Sequence, residues 1–341
     1  MLNKVKDGSE AHGKVHLSGE WGVIFGQPAI LLGIDKKARA RVYPTADKDV
    51  VIHATDFGIT TQFEDVAQLR KLAVSIDDLW QIGHNSNDFS ELAKKINGDK
   101  VAFLNYAVGK TLEQLDAETG VYCIFDSAIP VKNGLGSSAA LAVSVVSAVS
   151  TAMGQDLPAN EVNQIAHEVE RASHFTPSGG DNACATFGSL YFKEKCFKKV
   201  PNLETNLQEL ALIYTGPRPS TREMVRKMRK EYDLSPSKFD KTFQEIGDIV
   251  ESEMEAIARG DSQQILKDIN RNQELLQEID VSTPLIDKLH LGAKQLGGAL
   301  KLSGAGGGGY AIAYHPNKDK QQEIVNLAER LGCSAEIIQI K

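Results

Sequence analysis

The most chemically suggestive stretch of this chain is residues 130–140, PVKNGLGSSAA. Gly134 and Gly136 let backbone amides approach a ligand without side-chain obstruction. Ser137 and Ser138 then open a helical pattern, whose first N–H groups and dipole favour an anion. A serine hydroxyl at such a point can also ligate magnesium, the hard cation that accompanies ATP. The candidate nucleotide-binding residues are therefore Pro130, Asn133, Gly134, Leu135, Gly136, Ser137, Ser138 and Ala139. The plainer reading is a loop with a serine N-cap. What favours a phosphate loop is the helix behind it. Residues 135–153 run 19 positions without a charge, so this helix end points into the protein rather than at water.

Two better-known phosphate motifs are absent. GxxxxGK[ST] occurs nowhere in the chain. The run GAGGGG at 304–309 satisfies GxGxxG, but a dinucleotide fingerprint must open a helix, and the residues that follow (YAIAY) read as a strand. So many glycines between two strands suit close packing of backbone against a ligand or a helix end.

Phosphoryl transfer asks for charge neutralisation, in-line positioning and the management of one hydroxyl proton. Asp181 is the candidate for the proton, since it sits in a Ser-Gly-Gly-Asp turn whose short residues leave room for a substrate. The alternative is an aspartate that caps the segment after it. Lys14 alternates with Val15 and Leu17 on a strand face shared with His16 and Ser18, where the ordinary expectation is a solvated lysine. Glu170 borders the apolar stripe Val162, Ile165, Ala166 and Val169 of a helix. The histidines call for no special role: His167 and His174 lack a third donor at ligand spacing, and His12 and His16 read as strand-surface or pocket-edge residues.

The elements that must position these groups divide the chain. Strands are predicted over 14–18, 29–34, 37–43, 50–54, 121–125 and 189–193, and helices over 101–117, 135–152 and 159–173. Beyond residue 203, charged helices at 236–258, 261–278 and 282–296 precede strands at 298–303 and 309–315, a helix at 319–331 and a closing strand. Helices and strands in separate blocks indicate an α+β second half. No Pro/Ser linker separates the halves, which are expected to share a tight interface.

Composition narrows the function classes. A formal net charge of −7 argues against a nucleic-acid-coating protein. The four cysteines are scattered without a CxxC pair, which suits a reducing, cytoplasmic compartment and no disulfide scaffold. The uncharged stretch 135–153 is rich in Ser and Ala and lacks flanking aromatics, so a buried helix is expected rather than a membrane span. The first residues, MLNKVKDGSEAHGK, carry no apolar signal region.

Three separated segments resemble the motifs of the GHMP kinase superfamily, in its order and spacing. PVKNGLGSSAA resembles the central phosphate motif, GKVHLSGE (13–20) the first and KLSGAGGGG (301–309) the third. Within the superfamily, PSGGDNACATFG (177–188) and NQELLQEIDVSTPLID (272–287) resemble segments of mevalonate kinases, whereas GEWGV (19–23) does not resemble the opening of galactokinases. The resemblance implies a two-domain α+β fold: residues 1–202 an α/β domain with a mixed sheet and a buried phosphate-loop helix, residues 203–341 a ferredoxin-like α+β domain, and the active site in the cleft between them. It implies ATP and Mg²⁺, with Asp181 and Lys14 as catalytic groups and Ser138 and Glu170 as metal ligands. On the substrate side it implies Lys14, Glu20, Trp21, Asp181, Thr221 and Gly306. The implied substrate is mevalonate or a close relative, phosphomevalonate being the next choice, with no nucleic-acid or membrane partner and a homodimer left open. Trp21 stands where mevalonate kinases usually carry histidine. A ligand sensor on the same fold would be expected to lack Asp181, Lys14 or Glu170, and all are present.

Overall fold

The fold is given by a computed structural model that describes the chain apart from Met1, Leu2, Lys6, Asp7, Lys100, Lys132 and Lys195 and the side chains of residues 3–5 and Arg222. Lys132 of the phosphate-loop segment and the Arg222 side chain of the basic run at 218–230 thus lie outside the described residues. The chain forms two compact units. One comprises Met1–Gly13, Lys36–Pro130 and Gly136–Gly188, the other Lys14–Asp35, Val131–Leu135 and Ser189–Lys341.

In the first unit, strand Val121–Ser127 pairs antiparallel with the second half of Ala29–Pro44 and parallel with Val50–Ala54, which continues to Ile59–Phe63. The two strands expected at 29–34 and 37–43 are one continuous strand, Ala29–Pro44, because nothing between them stops pairing. Helix Ser137–Ala152 is packed among Ala102–Gln114, Ala159–His174 and Gly180–Phe187. Every residue from Ala142 to Ser150 on it is buried, on all faces, which small Ala, Ser and Val side chains permit. Its buried hydroxyls are satisfied on the helix itself, Ser144 donating to Leu141 O (2.9 Å) and Ser150 to Ser147 O (3.0 Å). At 16 residues it is too short to cross a membrane, and no helix among the described residues is long and apolar enough to do so.

Helices Val66–Ser86 and Ser90–Asn97 were not expected from the sequence. The first is capped by Asp65, which accepts from Ala67 N at 2.8 Å, and buries the stripe Val66, Leu69, Ala73 and Ile76. Its Asp77 accepts from Tyr106 Oη (2.6 Å) and from the buried Lys110 Nζ (2.9 Å), and that lysine also reaches Glu168 at 3.2 Å. Three helices are thereby tied around one lysine, and the helix bearing Glu170 is fixed in rotation.

In the second unit, the antiparallel sheet runs Ala299–Leu302, Tyr310–Tyr314, Glu209–Tyr214, Ser334–Gln339. Helices Pro236–Arg259, Ser262–Glu278, Pro284–Gln295 and Lys318–Arg330 accompany it, close to the expected bounds. Thr283 caps the helix that starts at Pro284, accepting from Ile286 N. Phe243, Ile246, Leu276, Ile286, Leu300 and Ile324 are among its core residues.

That core also encloses charge. Lys301 is fully buried and donates to Glu20, itself 2% exposed, and to Leu302 O at 2.8 Å. Beside them Ser18 donates to the fully buried Glu253. Burial pushes Glu20 up and Lys301 down, each held back by the other's charge. Burial, above all, pushes Glu253 up to about 8, with the nearby Asp268 and Glu20 adding to the effect. Between the ordinary carboxyl value and about 8, the folded protein therefore binds a proton at Glu253 that the unfolded chain has lost, and stability falls as pH rises through that window. Glu253→Gln keeps an acceptor for Ser18 without the charge. It should lose less melting temperature than the wild type between about pH 5 and pH 8, as differential scanning calorimetry would report; equal losses would contradict this assignment. Lys301→Met should cost about 3–5 kcal/mol in denaturant unfolding, because it leaves Glu20 buried without its cation.

Candidate active site

In the first unit the phosphate-loop helix begins on Gly136, which is left-handed (φ 70°) and supplies no side-chain cap. Its first internal bond is Ala140 N to Gly136 O at 3.0 Å, so the amides ahead of it need an acceptor from outside the helix. Neither serine provides one. Ser137 Oγ donates to Ile129 O (3.3 Å), and Ser138 Oγ turns to His174 Nε2 (3.1 Å). The N-cap reading of these serines is thus replaced by an uncapped helix start, with Ala139 buried behind it and Pro130 ending the preceding segment.

His174 Nε2 also lies 3.6 Å from Glu170 Oε2. Glu170, from the turn before on the same helix, is buried, whereas the His174 side chain is 49% exposed. Ser138 and Glu170, 32 positions apart, therefore converge on one ring nitrogen. Asp181 lies in the first turn of helix Gly180–Phe187, the end at which the helix dipole favours negative charge. That helix is pinned to its neighbour by Asn182 Nδ2, which donates to Asn163 Oδ1 (2.7 Å) and to Asn163 O (3.1 Å). The tight turn expected around Asp181 is the left-handed Gly179 that starts this helix.

In the second unit, Leu135 O accepts from Lys14 N at 2.9 Å, which ties the loop to the first strand. Lys14 is 4% exposed rather than solvated, and its Nζ lies 3.2 Å from His16 Nδ1. Burial, with the charges of Lys14, Lys301 and Arg218, pushes His16 well below the usual imidazole value, so the neutral ring accepts from the lysine. His12, in the first unit, is buried too, not at the strand surface. Both faces of strand Gly8–Ser18 are covered, so alternation along it marks no solvated side.

Arg218 lies against the loop: a Cβ on Gly134 would stand 3.5 Å from its guanidinium carbon. A Cβ on Gly309 would meet its Cδ at 2.9 Å and Asn133 O at 3.6 Å. Arg218 Nη2 donates to Thr221 Oγ1 at 3.2 Å. Gly306 and Gly308 of the third motif pack against protein backbone. A Cβ on Gly306 would come within 2.2 Å of Val281 O, so only glycine fits there, and the run joins two antiparallel strands, which removes the dinucleotide-fold reading. Trp21 is 5% exposed in the core of this unit, with a positive φ of 64° and an indole nitrogen that has no hydrogen-bond acceptor among the described residues.

A magnesium ion fits the first cluster chemically. A hydroxyl and a buried carboxylate oxygen that both lie beside His174 Nε2 are hard donors, and a nucleotide-borne Mg²⁺ needs only one or two protein groups. Among the described residues no cluster of three or more His, Cys, Asp or Glu is placed to hold a metal by itself. Two residues here escaped the sequence reading. His174 is four positions after Glu170, a spacing that puts both on one helix face, and Arg218 opens the basic run at 218–230.

Residues 102–189 match the GHMP kinases N terminal domain, and residues 254–332 match the GHMP kinases C terminal model. The chain is 30% identical over 334 residues to the mevalonate kinase of Thermococcus sibiricus, covering 95% of this chain and 93% of that protein. It is likewise 30% identical over 323 residues to the mevalonate kinase of Pyrococcus horikoshii, covering 92% and 90%. The crystal structure of Methanococcus jannaschii mevalonate kinase shares the fold, with a TM-score of 0.81 at 22% identity over 100% of this chain and 98% of that one. The chain therefore belongs to the GHMP kinases, within the mevalonate kinase family.

Proposed function

We propose that the protein transfers the γ-phosphoryl group of ATP to the 5-hydroxyl of mevalonate, giving 5-phosphomevalonate and ADP. The observation that carries this reading is near full-length likeness to mevalonate kinases in a chain that retains the Ser138–Glu170 pair beside an uncapped helix start. In this reading residues 1–202 hold ATP, metal and the catalytic aspartate, and residues 203–341 line the substrate.

The chemistry follows from charge. The amides at Gly134–Ala139 donate to the phosphates, whose negative charge the helix start favours. Magnesium, held by Ser138 and Glu170, supplies charge neutralisation on the phosphate oxygens when bound. Asp181 takes the proton from the attacking hydroxyl, and the ammonium of Lys14 offsets charge on the transferred group. Lys14, with its Nζ beside a neutral His16, suits that task. Glu20, Trp21, Thr221 and Gly306 belong to the substrate side.

Phosphomevalonate is the second reading, and Arg218 against Gly134 and Gly309 favours it, since one more guanidinium can balance more phosphate charge. Mevalonate is preferred because no Lys or Arg follows Lys14 in the first motif before Lys36. Asp181→Asn should lower turnover by about two orders of magnitude or more while an ATP analogue still binds; near-full activity in that variant would remove the base assignment. Steady-state kinetics with mevalonate, phosphomevalonate, galactose and homoserine at matched ATP should give the highest kcat/KM for mevalonate. A higher value for phosphomevalonate would reverse the choice.

A further inference from the structure

His174 is used by no step above, yet it touches both groups assigned to the metal. We propose that His174 is a positioning residue of the magnesium site: it accepts the Ser138 hydroxyl proton, which leaves the oxygen lone pairs for the cation, and it is held in that aim by Trp80. The inference rests on the metal assignment made under the proposed function.

The geometry has two parts. At the site, Nε2 of His174 stands 3.1 Å from Ser138 Oγ and 3.6 Å from Glu170 Oε2. A serine hydroxyl that donates to an imidazole nitrogen cannot also point its proton at a cation. The ring tautomer with the proton on Nδ1 is the one that lets Ser138 act as a ligand. Fixing the first ligands in this way is the ordinary task of groups one step out from a metal.

Behind the site, the residue after His174 has an unusual backbone. Phe175 has φ 59° and ψ −53°, a conformation that a bulky side chain rarely adopts and that persists where its surroundings over-determine it. Three contacts do so here. Trp80 Nε1 donates to Phe175 O at 2.7 Å, Phe175 N donates to Arg171 O at 2.9 Å, and the Phe175 ring stacks on Phe89 at 4.9 Å. Trp80 is itself clamped, with Arg171 4.7 Å over its ring and His84 stacked at 4.9 Å. Helix Ala159–His174 thus stops at a fixed point directly after the histidine that faces Ser138. The same sharp stop starts the segment that leads to Asp181.

The test compares the affinity of a non-hydrolysable ATP analogue with Mg²⁺ and with EDTA, by calorimetry on the full chain. In the wild type Mg²⁺ should tighten binding. His174→Ala should reduce that gain about tenfold or more and leave the metal-free affinity unchanged. His174→Asn, which keeps an acceptor near Ser138, should recover part of it. Trp80→Phe, which keeps a ring between Arg171 and His84 but loses the N–H donor, should reduce the gain by a smaller factor without touching the site. An unchanged gain in His174→Ala overturns the proposal, as does a parallel loss of metal-free affinity. An unchanged gain in Trp80→Phe overturns the part assigned to Trp80. Glu170→Gln separates the two levels: if it keeps the full magnesium gain, the metal assignment itself fails.

Discussion

An α-helix can offer its first amides to an anion only if no side chain of its own caps them and the helix cannot tilt away. In this protein that constraint falls on Ser137–Ala152. The left-handed Gly136 removes the cap, and both serines that could have folded back are engaged elsewhere, Ser137 with Ile129 O and Ser138 with His174. The helix itself is immobilised by burial on all sides, which only small side chains allow. Three neighbouring helices are in turn fixed around Lys110, whose buried charge is met by Asp77 and Glu168. The positions of Glu170, His174 and Asp181 all descend from this packing, because they lie on or just after a helix that flanks the phosphate helix.

The second unit is organised around charge in its core. Lys301 and Glu20 bind each other with no exposed surface between them, while Glu253 beside them is held towards its neutral form. Desolvating such a pair costs about as much as its attraction returns, so its value is in orientation rather than in stability. It joins the first motif to the strand that carries the third, and it fixes the direction of the Glu20 carboxylate. The glycine run after that strand serves the same end. Gly306 lets the backbone pass within contact of Val281, and Gly307 N donates to Val281 O at 2.8 Å.

Several features were legible in the sequence because they depend on neighbours along the chain. Helical periods at Ala159–His174, Pro236–Arg259 and Ser262–Glu278, the proline start at Pro284 and the strand on either side of GAGGGG are local patterns, and they appear where expected. The glycine loop and the helix behind it were legible for the same reason: glycine spacing followed by an uncharged helix is a statement about consecutive residues. Helix Val66–Ser86 was missed although its stripe has helical spacing, since exposed apolar residues off that stripe, Val74 and Ile82, blur the period.

What the sequence by itself determined about this protein was its family, its order of elements and the residue types available for phosphoryl transfer. What only the tertiary structure decided was which faces are covered and which side chains meet. Alternation in strand Gly8–Ser18 suggested a solvated face for Lys14, but burial of both faces made it an internal lysine beside a neutral histidine. Helical spacing placed His174 near Glu170, yet its contact with Ser138, 36 positions away, depends on how two helices cross. Arg218 reached Gly134 and Gly309 only through the folding of distant segments. The physical reason is common to all three. Periodicity reports the direction a side chain takes from its own backbone, whereas burial and electrostatics depend on what packs against it, and those partners are remote in sequence.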